Sequence, residues 1–134
     1  MFEINLKPDT NNYKDIGYYP LRRMSDAELR EVKRILDKYR EAGNISPSSG
    51  PVASLVLFAR KPNGTLRFCI DYRRLNAVTE KDRYPLPRID EVLRLVLGSK
   101  IFSKIDIHQA IHRVEIEEKS RPLTTFRTTF GAWQ

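Results

Sequence analysis

A chain of 134 residues, 40% of them hydrophobic and 31% charged, has the size and make-up of one globular domain or part of a larger one. No apolar run approaches the roughly 18–20 residues that cross a bilayer, and a single cysteine, Cys69, excludes an internal disulfide and fits a reducing, intracellular setting, cytoplasmic or nuclear. Lys and Arg total 24 against 17 acids, a net charge of +7 that suits a polyanionic partner, nucleic acid above all, or else a merely solvated cationic surface.

Residues 1–23 carry Asn, Asp, Pro and Tyr without a clear period and read as an extended lead-in. Glu3 and the lack of a cationic flank argue against a secretory signal. Ser25-Asp26-Ala27-Glu28 is a capping box, and Leu29, Val32, Leu36 and Tyr39 follow at helical spacing up to a stop at Gly43. A loop over 46–51 leads into an apolar, β-favouring run from Ala53 to Arg60. Pro62-Asn63-Gly64 is a turn signal, and Leu66, Phe68 and Ile70 then alternate with Arg67, Cys69 and Asp71, which together predict a β-hairpin with one half-buried face. After Pro85 and Pro87, residues Ile89, Val92, Leu93 and Val96 share a helical face, with Asp90 and Glu91 in the first turn and Gly98 at the end. Residues 101–107 read as a strand ending near Asp106, 114–116 as a short strand, and 124–130 as another. Helices and strands mixed without a βαβ rhythm point to an α+β fold.

Three groups of residues carry candidate chemistry. Arg60, Lys61 and Arg67 lie on two strands joined by a tight turn, so their cationic heads could converge on a triphosphate through charge-assisted bonds; equally, they could only keep an exposed hairpin soluble. Asp106 closes a mostly apolar strand, a rigid place for a magnesium ligand, yet a lone Asp after a strand also serves as a helix cap or turn former. His108 and His112 have the i, i+4 spacing of a zinc pair, but Gln109 stands where the glutamate of H-E-x-x-H would be and no second cysteine exists. They read as surface or groove residues.

These segments, in order, resemble the reverse transcriptases of gypsy-type long-terminal-repeat retrotransposons and, more distantly, the retroviral enzymes. The similarity covers nearly the whole chain. Tyr19 to Gly43 looks like the family's helix and its lead-in, and Asn44-Ile45-Ser46-Pro47-Ser48-Ser49-Gly50-Pro51 like its "IRPSxSP" loop. Leu57 to Asn76, with Arg60-Lys61-Pro62-Asn63-Gly64 at the turn and Phe68-Cys69-Ile70-Asp71-Tyr72-Arg73-Arg74 after it, looks like its fingers hairpin. Tyr84-Pro85-Leu86-Pro87-Arg88-Ile89-Asp90, Phe102-Ser103-Lys104-Ile105-Asp106 and Thr124-Thr125-Phe126-Arg127-Thr128 follow.

The resemblance implies a partial right-hand polymerase fold: a lead-in over 1–23, a fingers-like region over 24–100, and the start of a palm over 101–134. It implies that Asp106 is the first catalytic aspartate and binds Mg2+ with the Ile107 carbonyl beside it. It implies that Lys61 and Arg67 grip the triphosphate of the incoming deoxynucleotide, that the Gln109 and Ala110 amides approach its phosphates, and that Arg73 and its neighbours support the template strand. A primer–template of RNA or DNA is the implied partner, with two metals stabilising the attacking and leaving oxygens.

Departures from the pattern matter as much. Ile111 replaces the aromatic residue expected beneath the nucleotide sugar, Leu123 a common lysine, and Pro62 interrupts the basic run of the hairpin. The sequence ends at Gln134 without the family's Tyr-x-Asp-Asp hairpin, so two of three catalytic carboxylates are missing and the chain by itself is expected not to polymerise. An unpaired sheet edge, open to self-association, is expected where later palm strands would pair. A non-catalytic basic nucleic-acid-binding module, or an interaction remnant, is the competing expectation.

Overall fold

The computed structural model describes residues 1–107 and 114–134. They fall into two compact units, one of residues 1–80 and 114–134 and the other of residues 81–113.

In the first unit the chain opens with helix α1 (Asn12–Ile16), followed by α2 (Asp26–Glu41). α2 begins as its capping box dictates: the Glu28 amide donates to Ser25 Oγ at 3.3 Å and the Ser25 amide donates back to Glu28 Oε2 at 2.8 Å. It ends in a Schellman motif, the Asn44 amide reaching the Tyr39 carbonyl and the Gly43 amide that of Arg40, with Gly43 at φ +70° where a side chain would be strained. Val32, Ile35 and Leu36 form its buried stripe.

Strands β1 (Leu55–Arg60) and β2 (Leu66–Asp71) pair antiparallel, with Val56 opposite Ile70, Phe58 opposite Phe68 and Ala59 opposite Arg67. At the tip the Lys61 amide donates to the Thr65 carbonyl and the Gly64 amide to that of Lys61, while Gly64 takes φ +80°. This is a three-residue loop of a type I turn plus a left-handed residue. Asn63 Oδ1 accepts from the Thr65 amide and hydroxyl, which stiffens it. The inner face, Val56, Phe58, Phe68 and Ile70, packs with Val32, Leu36 and Phe126 into the main core. Phe68 stands edge-on to Phe58 and Phe126, with centroids 5.9 and 6.1 Å away.

Helix α3 (Arg73–Val78) follows, then helix α4 (Ile89–Val96) in the other unit. Back in the first unit, a 3-10 helix (Glu118–Thr124) leads into the hairpin of β3 (Phe126–Thr128) and β4 (Gly131–Trp133). A second cluster, Ile16, Val52 and Leu75, with Ile4, Leu6, Tyr72, Val78 and Leu123 around it, joins the N-terminal segment to α3. The Tyr72 hydroxyl donates to the Thr124 carbonyl at 2.7 Å, and burial raises its pKa.

Several expectations are corrected. The lead-in is not simply extended: α1 forms and buries Ile16, and Phe2, Leu6 and Tyr18 make single β-bridges to Ile116, Thr79 and Ala53. α3 and the 3-10 helix were not read from sequence. Residues 114–116 form no strand beyond the bridge at Ile116, and the expected strand over 124–130 is β3 plus a turn and β4. Residues 101–107 form no strand, and Ile101, Phe102, Ile105 and Ile107 are exposed. An extended run becomes a strand only when a neighbour takes up its amides and carbonyls, and the described residues supply none there.

The unit of residues 81–113 holds α4, whose start is marked by the Arg88 amide donating to Glu91 Oε2 at 3.4 Å. The apolar face expected for this helix is present, but Ile89, Val92, Leu93 and Val96 are all exposed.

Candidate functional site

Antiparallel pairing fixes which way the hairpin cations point, because directly opposed residues share a face and successive ones alternate. Arg67, opposite Ala59, lies on the outer face with Cys69 and Asp71. Arg60, opposite Leu66, lies on the core side, where its charge helps hold the Glu28 carboxyl of α2 below the usual glutamate range, behind the larger effect of the Ser25 amide. Arg60 and Arg67 therefore do not converge. Lys61 sits at the tip, where with Ala27, Glu31, Arg34, Thr65 and Leu66 it borders an open cleft of about 490 Å³.

Arg73, the first residue of α3, is already engaged. Its guanidinium forms a fork with Asp71, Nε to Oδ1 at 2.8 Å and Nη2 to Oδ2 at 2.7 Å, and its amide also donates to Oδ1. These bonds lower the Asp71 pKa to about 2, although the Asp71 side chain is only 9% exposed. A depressed carboxyl stabilises the fold above its ordinary pKa of 3.8 and loses that contribution as pH falls towards 2. Asp71→Asn is thus expected to lower the urea midpoint at pH 6, with the deficit shrinking between pH 4 and 2; a deficit constant with pH contradicts it.

Two tyrosine–arginine contacts were not foreseen. Arg74 lies over the Tyr19 ring at 5.0 Å and Arg127 over that of Tyr18 at 4.6 Å. Both join residues far apart in sequence, and only the doublets Tyr18-Tyr19 and Arg73-Arg74 hint at them.

Asp106 and Ile107 are exposed and lie in the stretch without regular structure. Gln109, Ala110 and Ile111, like His108 and His112, lie outside the described residues. Among the described residues no group of three or more His, Cys, Asp or Glu is placed to hold a metal ion, and no helix is long and apolar enough to cross a membrane.

The hairpin is anchored through its inner face and carries Arg67 on the outer one, and comparison with known proteins identifies the lineage. Residues 59–133 match the reverse transcriptase (RNA-dependent DNA polymerase) family. The chain belongs to the reverse transcriptase family. It is 32% identical over 139 residues to the retrovirus-related Pol polyprotein from transposon 412 of Drosophila melanogaster, covering 98% of this chain and 11% of that one. It is 35% identical over 109 residues to the Pol polyprotein from transposon opus of the same species, covering 78% and 11%. The transposon Tf2-3 polyprotein of Schizosaccharomyces pombe is 31% identical, with 99% and 10% covered. The chain thus spans about a tenth of the length of these relatives, all from retrotransposons, and a gypsy-type origin fits them.

Solved structures give the fold. A prototype foamy virus protease-reverse transcriptase superimposes with a TM-score of 0.74 at 17% identity, over 87% of this chain and 16% of that one. A foamy viral protease-reverse transcriptase in complex with double-stranded DNA gives 0.68 at 16% identity, over 99% and 22%. This reverse transcriptase chain is therefore a mixed helix-and-sheet part of a polymerase fold, as its sequence led one to expect.

Proposed function

We propose that this chain carries the fingers and the opening of the palm of an RNA-directed DNA polymerase, and that it binds primer–template and deoxynucleotide triphosphates. The observation that supports this most is the rigid hairpin, whose apolar face is committed to α2 while Arg67 stands on the other face and Lys61 at the tip. A hairpin backbone that is already ordered does not have to be ordered again when a polyphosphate arrives. In this reading the chain divides into a lead-in over 1–23, fingers over 24–100 and palm from 101 onward. Lys61 and Arg67 hold the triphosphate, the Gln109 and Ala110 amides approach its phosphates, Ile111 lies under the sugar, and the Arg73 region supports the template. The setting is intracellular.

Asp106, with the Ile107 carbonyl, would be the protein's first ligand to Mg2+, which takes oxygen donors from a carboxylate and from substrate phosphates. Among the described residues no group of three or more His, Cys, Asp or Glu surrounds it to hold a metal ion. Two divalent ions close together need more than one anionic ligand to offset their repulsion, so a two-metal centre does not fit the described residues and no catalytic step is assigned to one. The chain by itself is read as inactive in polymerisation.

The alternative is a non-catalytic basic module or an interaction remnant. It is favoured by the net charge and by β2, which among the described residues pairs only with β1 and so leaves an edge open to a second copy. Fluorescence anisotropy with a labelled primer–template tests the binding common to both readings. Affinity is expected to fall steeply and log-linearly with salt, and Lys61→Gln with Arg67→Gln to weaken it about tenfold at low salt. A salt-insensitive affinity, or no binding, contradicts the proposal.

A further inference from the structure

Of the two adjacent arginines that open α3, the family resemblance points to Arg73, yet their surroundings differ. Arg73 is held by the Asp71 carboxylate through two side-chain bonds, so its charge is locally neutralised and its donors are partly spent. Arg74 pairs with no carboxylate among the described residues. It lies over the Tyr19 ring at 5.0 Å and is exposed. Gly17 completes its surroundings: a Cβ there would fall 2.4 Å from Arg74 Nη1, closer than real atoms approach, and Gly17 itself has φ +78°. The Gly17–Tyr19 segment is fixed in turn by Ala53, whose amide donates to the Gly17 carbonyl and whose carbonyl accepts from the Tyr19 amide.

An arginine has five N–H donors and a long side chain whose rotamer freedom is lost on binding. One already seated on an aromatic ring, with its donors unclaimed by a carboxylate, is prepared for an anion at lower cost. We propose that Arg74, seated between the Tyr19 ring and the notch at Gly17, is the phosphate contact that α3 offers to a bound nucleic-acid strand, while Arg73 serves the fold through Asp71. The inference rests on the nucleic-acid-binding reading above and adds the residue that makes the contact. Gly17 and Tyr19 are positioning residues, acting through Arg74.

The test is anisotropy of a labelled single-stranded oligonucleotide with the 134-residue chain at several salt concentrations. Arg74→Gln is expected to weaken binding about fivefold at low salt and to lower the slope of log affinity against log salt by about 0.7, the loss of one phosphate contact. Arg40→Gln removes an equal charge from the last turn of α2, beside Asp37, and is expected to alter affinity less than about twofold. Gly17→Ala and Tyr19→Leu keep every charge, and each is expected to weaken binding without adding to the loss in an Arg74→Gln background. Circular dichroism reports folding, and if Gly17→Ala does not fold, Tyr19→Leu decides. Overturning results are an Arg74→Gln affinity and slope equal to wild type, or full binding by folded Gly17→Ala and Tyr19→Leu chains. Wild-type chain that binds no oligonucleotide overturns the nucleic-acid reading itself, which separates the two failures.

Discussion

Primer extension with Mg2+ and deoxynucleotides is expected to be absent for the 134-residue chain, and to appear when the chain is continued with the downstream segment of a matching Pol polyprotein such as that of transposon 412. In the continued protein, Asp106→Asn is expected to abolish extension by a factor on the order of a thousand or more. A metal centre contributes several kcal/mol to the transition state and each ~1.4 kcal/mol is tenfold in rate. Primer–template affinity is expected to be unchanged or slightly raised, since the substitution removes a negative charge from a chain of net charge +7. Equal loss of binding and extension would mean that Asp106 supports the fold instead. Extension by the unextended chain, or full activity of Asp106→Asn, would remove Asp106 from the chemistry.

Phe126→Ala is expected to cost about 3–5 kcal/mol, the usual loss when a buried aromatic side chain leaves a cavity. Phe126 is 2% exposed, touches Phe68 edge-on and begins β3, so it joins hairpin, α2 stripe and C-terminal hairpin in one core. Its neighbours leave little room to collapse into the space: Ser54 pairs with it through the backbone, and Thr125 is tied to Ser48 and to the Pro122 carbonyl. A domain stable by about 5–15 kcal/mol would lose a large share of that margin. Urea unfolding followed by circular dichroism measures it. A loss under about 1 kcal/mol would place the energetic centre elsewhere, in the cluster around Ile16, Val52 and Leu75.

What could be read beforehand was what is local. The capping box, α2 and the hairpin tip each depend on residues within a few positions of one another, and they fold as their sequence predicts. α3 was hidden because Asp71-Tyr72-Arg73-Arg74 shows no amphipathic period; its helix is held by Leu75 packing against Ile16 and Val52, a contact made by the fold. Residues 101–107 have strand chemistry, but a strand also needs a neighbour. At the site, alternation along β2 was legible, yet it took the register to set Arg60 and Arg67 on opposite faces. The roles proposed for Lys61, Arg67 and Asp106 rest on family resemblance, because cations on a hairpin and one carboxylate by themselves read more readily as solubility and a cap. Arg74 over Tyr19 and the space at Gly17 join three elements and leave no periodic trace.

Lys61 and Arg67 are proposed to hold the triphosphate of a deoxynucleotide that arrives with its metal ion. Mn2+ takes the same oxygen donors as Mg2+, and its unpaired electrons broaden nearby amide signals. Titrating the isotope-labelled chain with Mn2+-dATP at low salt should therefore broaden the amides around Lys61 and Arg67 along a saturable curve, and Lys61→Gln with Arg67→Gln should weaken the effect. A hairpin left untouched by Mn2+-dATP, or broadening there that survives loss of both cations unchanged, would contradict that role.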